Sequence, residues 1–109
     1  MELTDKQRRH LKGLAHPLKP VILMGNSGLT EGVIAETDRA LTDHELIKVR
    51  LPGQDREERD AALVLLAERT ASTMVTRIGH VAVLYRPHPE MPRIVLPGTA
   101  ARWPASARR

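Results

Sequence analysis

The sequence predicts a single α/β (α+β) domain whose elements follow the order α-β-α-β-α-β-β. Three segments carry apolar residues at helical spacing, and short apolar or alternating runs lie between and after them. The length of 109 residues is close to the most common size of one domain. This order indicates a four-stranded mixed sheet with helices packed on it.

Two helices and a strand are predicted in the first half. Thr4 and Asp5 can cap a helix that runs to about His16, after which prolines stop it. The wholly apolar run at residues 21–24 predicts a strand buried on both faces. A second helix is expected from about Thr30.

Residues 45–51 predict a second strand, because apolar and basic side chains alternate along them. Ile47 and Val49 fall on one face, and Lys48 and Arg50 fall on the other. This pattern is typical of a half-exposed strand, whose basic face is either solvated or available to a ligand.

The remaining elements follow a turn expected at Pro52-Gly53. Residues 55–58 read as a capping box at the start of a third helix, which reaches about Thr70. Residues 73–78 and 81–86 predict two strands, joined by a two-residue hairpin turn.

Prolines become frequent from Pro87 onward, and the predicted structure becomes sparse. Residues 93–96 are apolar enough to add an edge strand. The segment 98–109 is rich in Ala and Arg, which is typical of a basic, disordered tail. The expected organisation is therefore one domain over residues 1–97 and a tail over 98–109.

The composition limits the function. The chain has one Tyr, one Trp and no Phe, which argues against reading nucleobases by aromatic stacking. It has no Cys and no apolar run long enough to span a bilayer, so we expect a cytoplasmic protein without membrane attachment. The five His residues lack metal-binding spacing, so we expect neither a metal site nor a cofactor.

The net charge of +4 is unevenly distributed along the chain. Lys and Arg exceed Asp and Glu by three in residues 1–30, by two in 71–98 and by three in 99–109. Residues 31–70 carry four more acidic than basic side chains. The basic segments indicate a polyanionic partner more clearly than the overall charge does.

The loop Gly25-Asn26-Ser27-Gly28 lies between a predicted strand and a predicted helix. Glycines let a bulky anion approach the main chain, and the free N–H groups of a helix start attract phosphate. A Gly-x-x-Gly stretch is frequent, however, and its pattern alone favours a plain turn. The spacing matches neither a P-loop nor a dinucleotide-binding fingerprint.

Several stretches together resemble the CRM domain (chloroplast RNA splicing and ribosome maturation), in its stand-alone bacterial, YhbY-like form. They run in order through residues 3–97, and the motifs that carry the likeness are the stretches at 13–20, 25–30, 44–49, 78–79 and 83–86. Their order and register make the resemblance far more specific than the loop alone.

The resemblance implies an RNA-binding domain similar in fold to the C-terminal domain of translation initiation factor 3. Bacterial members of the family associate with precursors of the large ribosomal subunit and act in its assembly. The family's loop maps onto Gly25, Asn26, Ser27 and Gly28, although Asn26 and Ser27 stand where a basic residue is frequent. The expected RNA-binding cations are Lys12, Lys19, Lys48 and Arg50, with Arg8 and Arg86 as further candidates.

We therefore expect a monomeric, non-catalytic protein that binds ribosomal RNA and takes no small-molecule substrate. Three alternatives stay open. They are a DNA- or chromatin-coating protein, a small enzyme that uses the loop as an anion site, and an adaptor whose acidic middle segment docks a basic protein. Nothing in the sequence supplies a convincing general base beside the loop, which disfavours the enzyme.

Overall fold

The computed structural model describes residues 2–25, 28–51 and 55–97, which form three helices and four strands in the predicted order. The helices are α1 (Asp5–Ala15), α2 (Glu31–His44) and α3 (Arg56–Arg69). The strands are β1 (Pro20–Leu23), β2 (Leu46–Arg50), β3 (Thr73–Ile78) and β4 (Val81–Tyr85). The turn expected at residues 52–53 and the tail expected at 98–109 lie outside the described residues.

The four strands form one mixed sheet in the order β1-β2-β4-β3. β1 runs parallel to β2, whereas β4 is antiparallel to both β2 and β3. The Met24 N–H donates to the Arg50 carbonyl at 2.8 Å, and the Leu51 N–H donates to the His80 carbonyl at 2.6 Å. The last residues of β1 and β2 therefore meet the β3–β4 hairpin at one end of the sheet, which we call the loop end.

Helices pack on both faces of this sheet, and successive residues of its strands enter different cores. Ile47, Leu84 and their neighbours lie in the core under α2 and α3. Leu46 and Tyr85 lie in a second core against α1. This alternation is the period of two expected for strands with side chains on both faces.

Side-chain caps define where each helix begins. Thr4 and Gln7 form a reciprocal capping box at the start of α1. The Thr30 hydroxyl accepts the Val33 N–H at 3.1 Å at the start of α2. Asp55 accepts the Glu57 N–H at 3.2 Å, so the predicted start of α3 is confirmed, but the bond goes to the second helical residue and not to Glu58, the third, as the expected capping box requires.

The prediction that β1 is buried on both faces was wrong. Ile22 is buried, but Val21 and Leu23 are 51% and 68% exposed. β1 lies at the edge of the sheet and pairs with β2 alone among the described strands. An apolar run does not distinguish an edge strand from a central one, because the elements that cover its side chains are determined by the tertiary structure and not by the run itself.

The prediction of an edge strand at residues 93–96 was also wrong. In the described part of the chain this segment joins no sheet, and it is fixed instead by Glu45, a fully buried carboxylate. Glu45 accepts the Arg93 N–H at 2.7 Å and the Ile94 N–H at 3.4 Å. Backbone donors that would pair in a strand are thus satisfied by one side chain, which lets Leu96 pack against α1.

Tyr85 lies in the α1-side core close to this carboxylate and is 2% exposed. Burial, with a smaller contribution from the negative charge of Glu45, raises the pKa of Tyr85 to about 12. The folded state thus keeps the phenol neutral at pH values where the unfolded chain ionises it.

The stability of the protein should therefore fall as the pH rises from 10 to 12, because only the unfolded state loses the Tyr85 proton in that range. We expect a loss of about 2 kcal/mol in the free energy of unfolding attributable to this group. Urea unfolding of the wild type and Tyr85→Phe across this range isolates the effect. Tyr85 is the only tyrosine, so its phenolate absorbance reports the folded-state ionisation directly. Ionisation near pH 10 in the folded protein would contradict this account.

Candidate nucleic-acid interface

The two loop glycines lie at the loop end and leave the main chain open. The Gly28 N–H donates to the Gly25 carbonyl at 2.9 Å, and Gly28 has a φ of +72°. A Cβ added to either glycine would meet nothing within 4 Å. The positive φ of Gly28 favours glycine for conformational reasons. Gly25 has no such φ, so the backbone conformation there does not demand glycine. Asn26 and Ser27 lie outside the described residues.

Glu31, the first residue of α2, is a negative charge close to this loop. Arg69 Nη2 donates to both carboxylate oxygens of Glu31, at 2.9 and 3.0 Å. Both side chains are well exposed, so the pair adds little to stability. The pair instead affects the electrostatic potential near the loop, because a cation beside Glu31 weakens the repulsion that this carboxylate would exert on an approaching phosphate.

Arg50 is the basic residue that the fold places beside the glycines. It ends β2, is paired in register with Leu23 of β1, and is exposed. Its backbone carbonyl accepts from Met24, the residue before Gly25. No ion pair links its guanidinium to a described residue, so its donors are available to a phosphate.

Lys12 of α1 and Lys19, in the segment that leads to β1, are both exposed. Lys48 of β2 is half-buried. Its ammonium donates to the carbonyls of Leu18 at 2.9 Å and His16 at 3.2 Å. Lys48 therefore ties the C-terminal end of α1 to the sheet, where the helix dipole also favours a positive charge.

Arg8 and Arg86 are held by bonds within the protein. The Arg8 guanidinium donates to the carbonyls of Met74 and Val75 in β3. Arg86 Nη1 donates to the Asp38 carboxylate at 2.6 Å and to the Thr70 carbonyl at 2.7 Å. Arg86 follows β4 at the end of the sheet opposite the loop end. A role for these two residues in RNA binding stays a prediction.

Two apolar residues near Arg50 had no functional role in the sequence-based prediction. Leu23 is 68% exposed and Ile78 is 71% exposed, although both are strand residues of a type usually found in a core. No sequence signal distinguishes them from buried strand residues, since their exposure depends on where α1 ends over the sheet.

Other kinds of site find no support in the described ranges 2–25, 28–51 and 55–97. No three His, Cys, Asp or Glu residues there could hold a metal ion together. None of the helices in these ranges combines the length and the apolar character that crossing a membrane requires.

A groove of about 450 Å³ lies beside the start of β1, lined largely by apolar residues such as Leu14, Leu18 and Val21.

Comparison with known proteins decides the family. The sequence matches the CRS1/YhbY (CRM) domain over residues 3–86. The chain belongs to this family. The resemblance noted in the loop and its flanking segments is thereby confirmed, and the CRM domain accounts for every helix and strand described above.

Relatives of this CRM protein are similar along most of their length. A protein of Haemophilus influenzae named RNA-binding protein is 50% identical over 95 residues, which cover 87% of this chain and 95% of the relative. A protein of Pseudomonas aeruginosa named a probable RNA-binding protein is 47% identical over 90 residues, 83% of this chain and 86% of the relative.

A solved structure supports the same fold. The solution structure of a hypothetical protein from Staphylococcus aureus superposes with a TM-score of 0.76 at 36% sequence identity. The match covers 88% of this chain and all of the other. The predicted α/β fold with a four-stranded mixed sheet is therefore confirmed.

The contrast between Arg86 and Arg50 can be tested by stability measurements. Arg86→Ala should lower the free energy of unfolding by about 2 kcal/mol, because it removes the charged donor of the exposed Asp38 carboxylate and of the part-buried Thr70 carbonyl. Arg50→Ala, which removes an exposed guanidinium, should change it by less than about 0.5 kcal/mol. Urea unfolding of both variants provides the measurement. Equal losses would mean that Arg50 is as much a structural residue as Arg86.

Proposed function

We propose that this CRM protein binds ribosomal RNA in cytoplasmic precursors of the large ribosomal subunit and assists their assembly without catalysing a reaction. The observation that carries the proposal is the open space beside Gly25 and Gly28, next to the Arg50 guanidinium, which forms no ion pair with a described residue. The names of two close relatives, from Haemophilus influenzae and Pseudomonas aeruginosa, support RNA as the partner.

The distribution of charge over the fold supports the same partner. Lys12 and Lys19 belong to α1 and the chain that follows it, whereas eight of the ten acidic residues of segment 31–70 belong to α2 and α3, which pack on the opposite face of the sheet. One side of the molecule therefore attracts a polyanion and the other repels it. Such a separation orients the protein on RNA as well as adding affinity.

The type of contact favours RNA recognition through backbone and shape. Exposed Lys and Arg side chains and free backbone N–H groups bind phosphates of any sequence. The sheet offers no exposed aromatic ring among the described residues, since Tyr85, its only tyrosine, is buried. Selection of a ribosomal precursor then depends on the local shape of the folded RNA rather than on bases stacked against aromatic rings. The family resemblance is what points to the large subunit.

The cellular partner can be tested by sedimenting an extract of cells that express a tagged protein. We expect the tag to migrate with precursors of the large ribosomal subunit and to be absent from mature ribosomes. Rapid ribonuclease treatment of a parallel sample should release it, because RNA contacts hold it there. Migration with the nucleoid alone would favour the DNA-binding alternative and contradict the proposal.

The contact itself can be tested with purified protein and a large-subunit rRNA fragment. Gly25→Ala should weaken binding about threefold to tenfold, since its Cβ fits the free protein and obstructs only the ligand. Lys12→Gln/Lys19→Gln should lower the slope of log affinity against log salt by about 1 to 2.

The matched control is Arg39→Gln/Arg56→Gln, which removes two exposed cations from α2 and α3 on the other side of the sheet. It should change affinity much less than the lysine pair. A control that weakens binding equally, or equal affinity for duplex DNA, would indicate nonspecific charge attraction in place of the proposed site.

A further inference from the structure

Four residues form a row across the sheet near the loop end. Leu23 is paired with Arg50, Arg50 with Val81, and Val81 with Ile78. Residues paired in register project from the same face of a sheet, so the row spans all four strands. We call it the exposed strip.

The exposed strip lies on the same face as α1, and three of its residues, Leu23, Arg50 and Ile78, are exposed while Val81 is half-buried. The neighbours of the strip along each strand, such as Ile22, Val49 and Ala82, belong to the core under α2 and α3. The α1-side core is formed by residues nearer the other end of the strands, including Leu46 and Tyr85. The strip is therefore the part of the α1-side face that α1 leaves open.

Exposure of apolar residues at both edges of a sheet is unfavourable for a free protein. Leu23 belongs to edge strand β1 and Ile78 to edge strand β3, and both side chains are more than two-thirds exposed. Exposed apolar strand edges promote nonspecific association, and persistent apolar patches usually mark a binding site. The strip is best understood as a surface that a ligand covers.

We propose that the exposed strip holds an unpaired stretch of RNA, with bases against Leu23 and Ile78 and the backbone or a base plane against Arg50. The inference rests on the proposed function and narrows its substrate class. In a duplex the base faces stack on one another, and the backbone exposes phosphates and hydroxyls. These polar groups gain no free energy from contact with Leu or Ile side chains. Unpaired bases present apolar faces, and Arg50 complements the charge of the phosphates that join them.

The dimensions of the strip agree with this occupant. Strands lie about 4.8 Å apart, so the row from Leu23 to Ile78 is roughly 14 Å long. Four-stranded sheets elsewhere carry two or three bases on aromatic rings. Here aliphatic side chains and one guanidinium plane take the place of those rings. The open glycines at the loop end can hold a phosphate of the same strand, because Leu23 is only two residues from Gly25.

A second copy of the chain is a poorer occupant. A symmetric pairing of two strips would bring their Arg50 side chains together, since the same patch faces itself across a two-fold axis. Two guanidinium groups in a newly desolvated contact repel each other. The charge at the centre of the strip thus favours a polyanion over self-association.

The test compares an unpaired RNA dodecamer of mixed sequence with the same dodecamer in a duplex. Leu23→Thr/Ile78→Thr keeps strand-forming side chains and removes the apolar surface of the strip. Val64→Gln/Leu65→Gln is the control, because it removes two apolar side chains, 55% and 45% exposed, from α3 on the other face of the sheet. Affinities are measured by fluorescence anisotropy, and urea unfolding verifies that each variant is folded.

We expect the wild type to prefer the unpaired dodecamer, and the strip variant to bind it about fivefold to tenfold more weakly. Binding of the duplex should be unchanged, and the control should match the wild type for both RNAs. If the wild type binds RNA but the strip variant binds the unpaired dodecamer equally well, the strip proposal fails and the proposed function stands.

Two other results would also overturn the strip proposal. If the wild type binds neither RNA, the proposed function fails together with it. If the wild type is a dimer in light scattering and the strip variant is a monomer, the strip is an interface between copies of the chain.

Discussion

β2 determines the arrangement of the candidate interface because it pairs on both sides. Its parallel pairing with β1 ends at the bond from the Met24 N–H to the Arg50 carbonyl, which brings Gly25 beside Arg50. Its antiparallel pairing with β4 brings the β3–β4 hairpin to the same end of the sheet. Without this register, the glycines, the guanidinium and the exposed strip would not lie together. A shift of one residue would turn Arg50 into the core under α2 and α3.

The basic residues of the protein divide into two groups by what their side chains contact. Arg8, Lys48 and Arg86 donate to backbone carbonyls of neighbouring segments and thereby connect α1, α2 and the sheet. Lys12, Lys19 and Arg50 are exposed. The donors that make these bonds are occupied within the protein.

Most of the fold could be predicted from the sequence because the periodicity of each segment is local. The helix starts at Thr4, Thr30 and Asp55 depend on side chains within three residues of the cap. The exposure of Leu23 could not be predicted, since it depends on which strand pairs with β1 and on the extent of α1. The bond between Glu45 and Arg93 could not be predicted either, because it joins residues that are 48 apart in the chain.

The candidate site was predictable to a smaller extent. The family motif identifies Gly25 and Gly28, and the structure adds that a Cβ at either would meet no neighbour. Alternation identified the face of Lys48 and Arg50, but only the packing shows that Lys48 is tied to the end of α1 while the exposed Arg50 forms no ion pair within the described ranges. The exposed strip has no sequence signature, because its four residues come from four strands and meet only through the register of the sheet.

The central claim is that RNA binds at the loop end of the sheet. Nuclear magnetic resonance of isotope-labelled protein titrated with an rRNA fragment tests it most directly. The amide signals of Gly25, Gly28, Arg50 and Gly79 should shift, while those of Thr70, Ala71 and Ser72 at the opposite end should stay in place. Shifts confined to the opposite end, or spread evenly over α2 and α3, would contradict the claim.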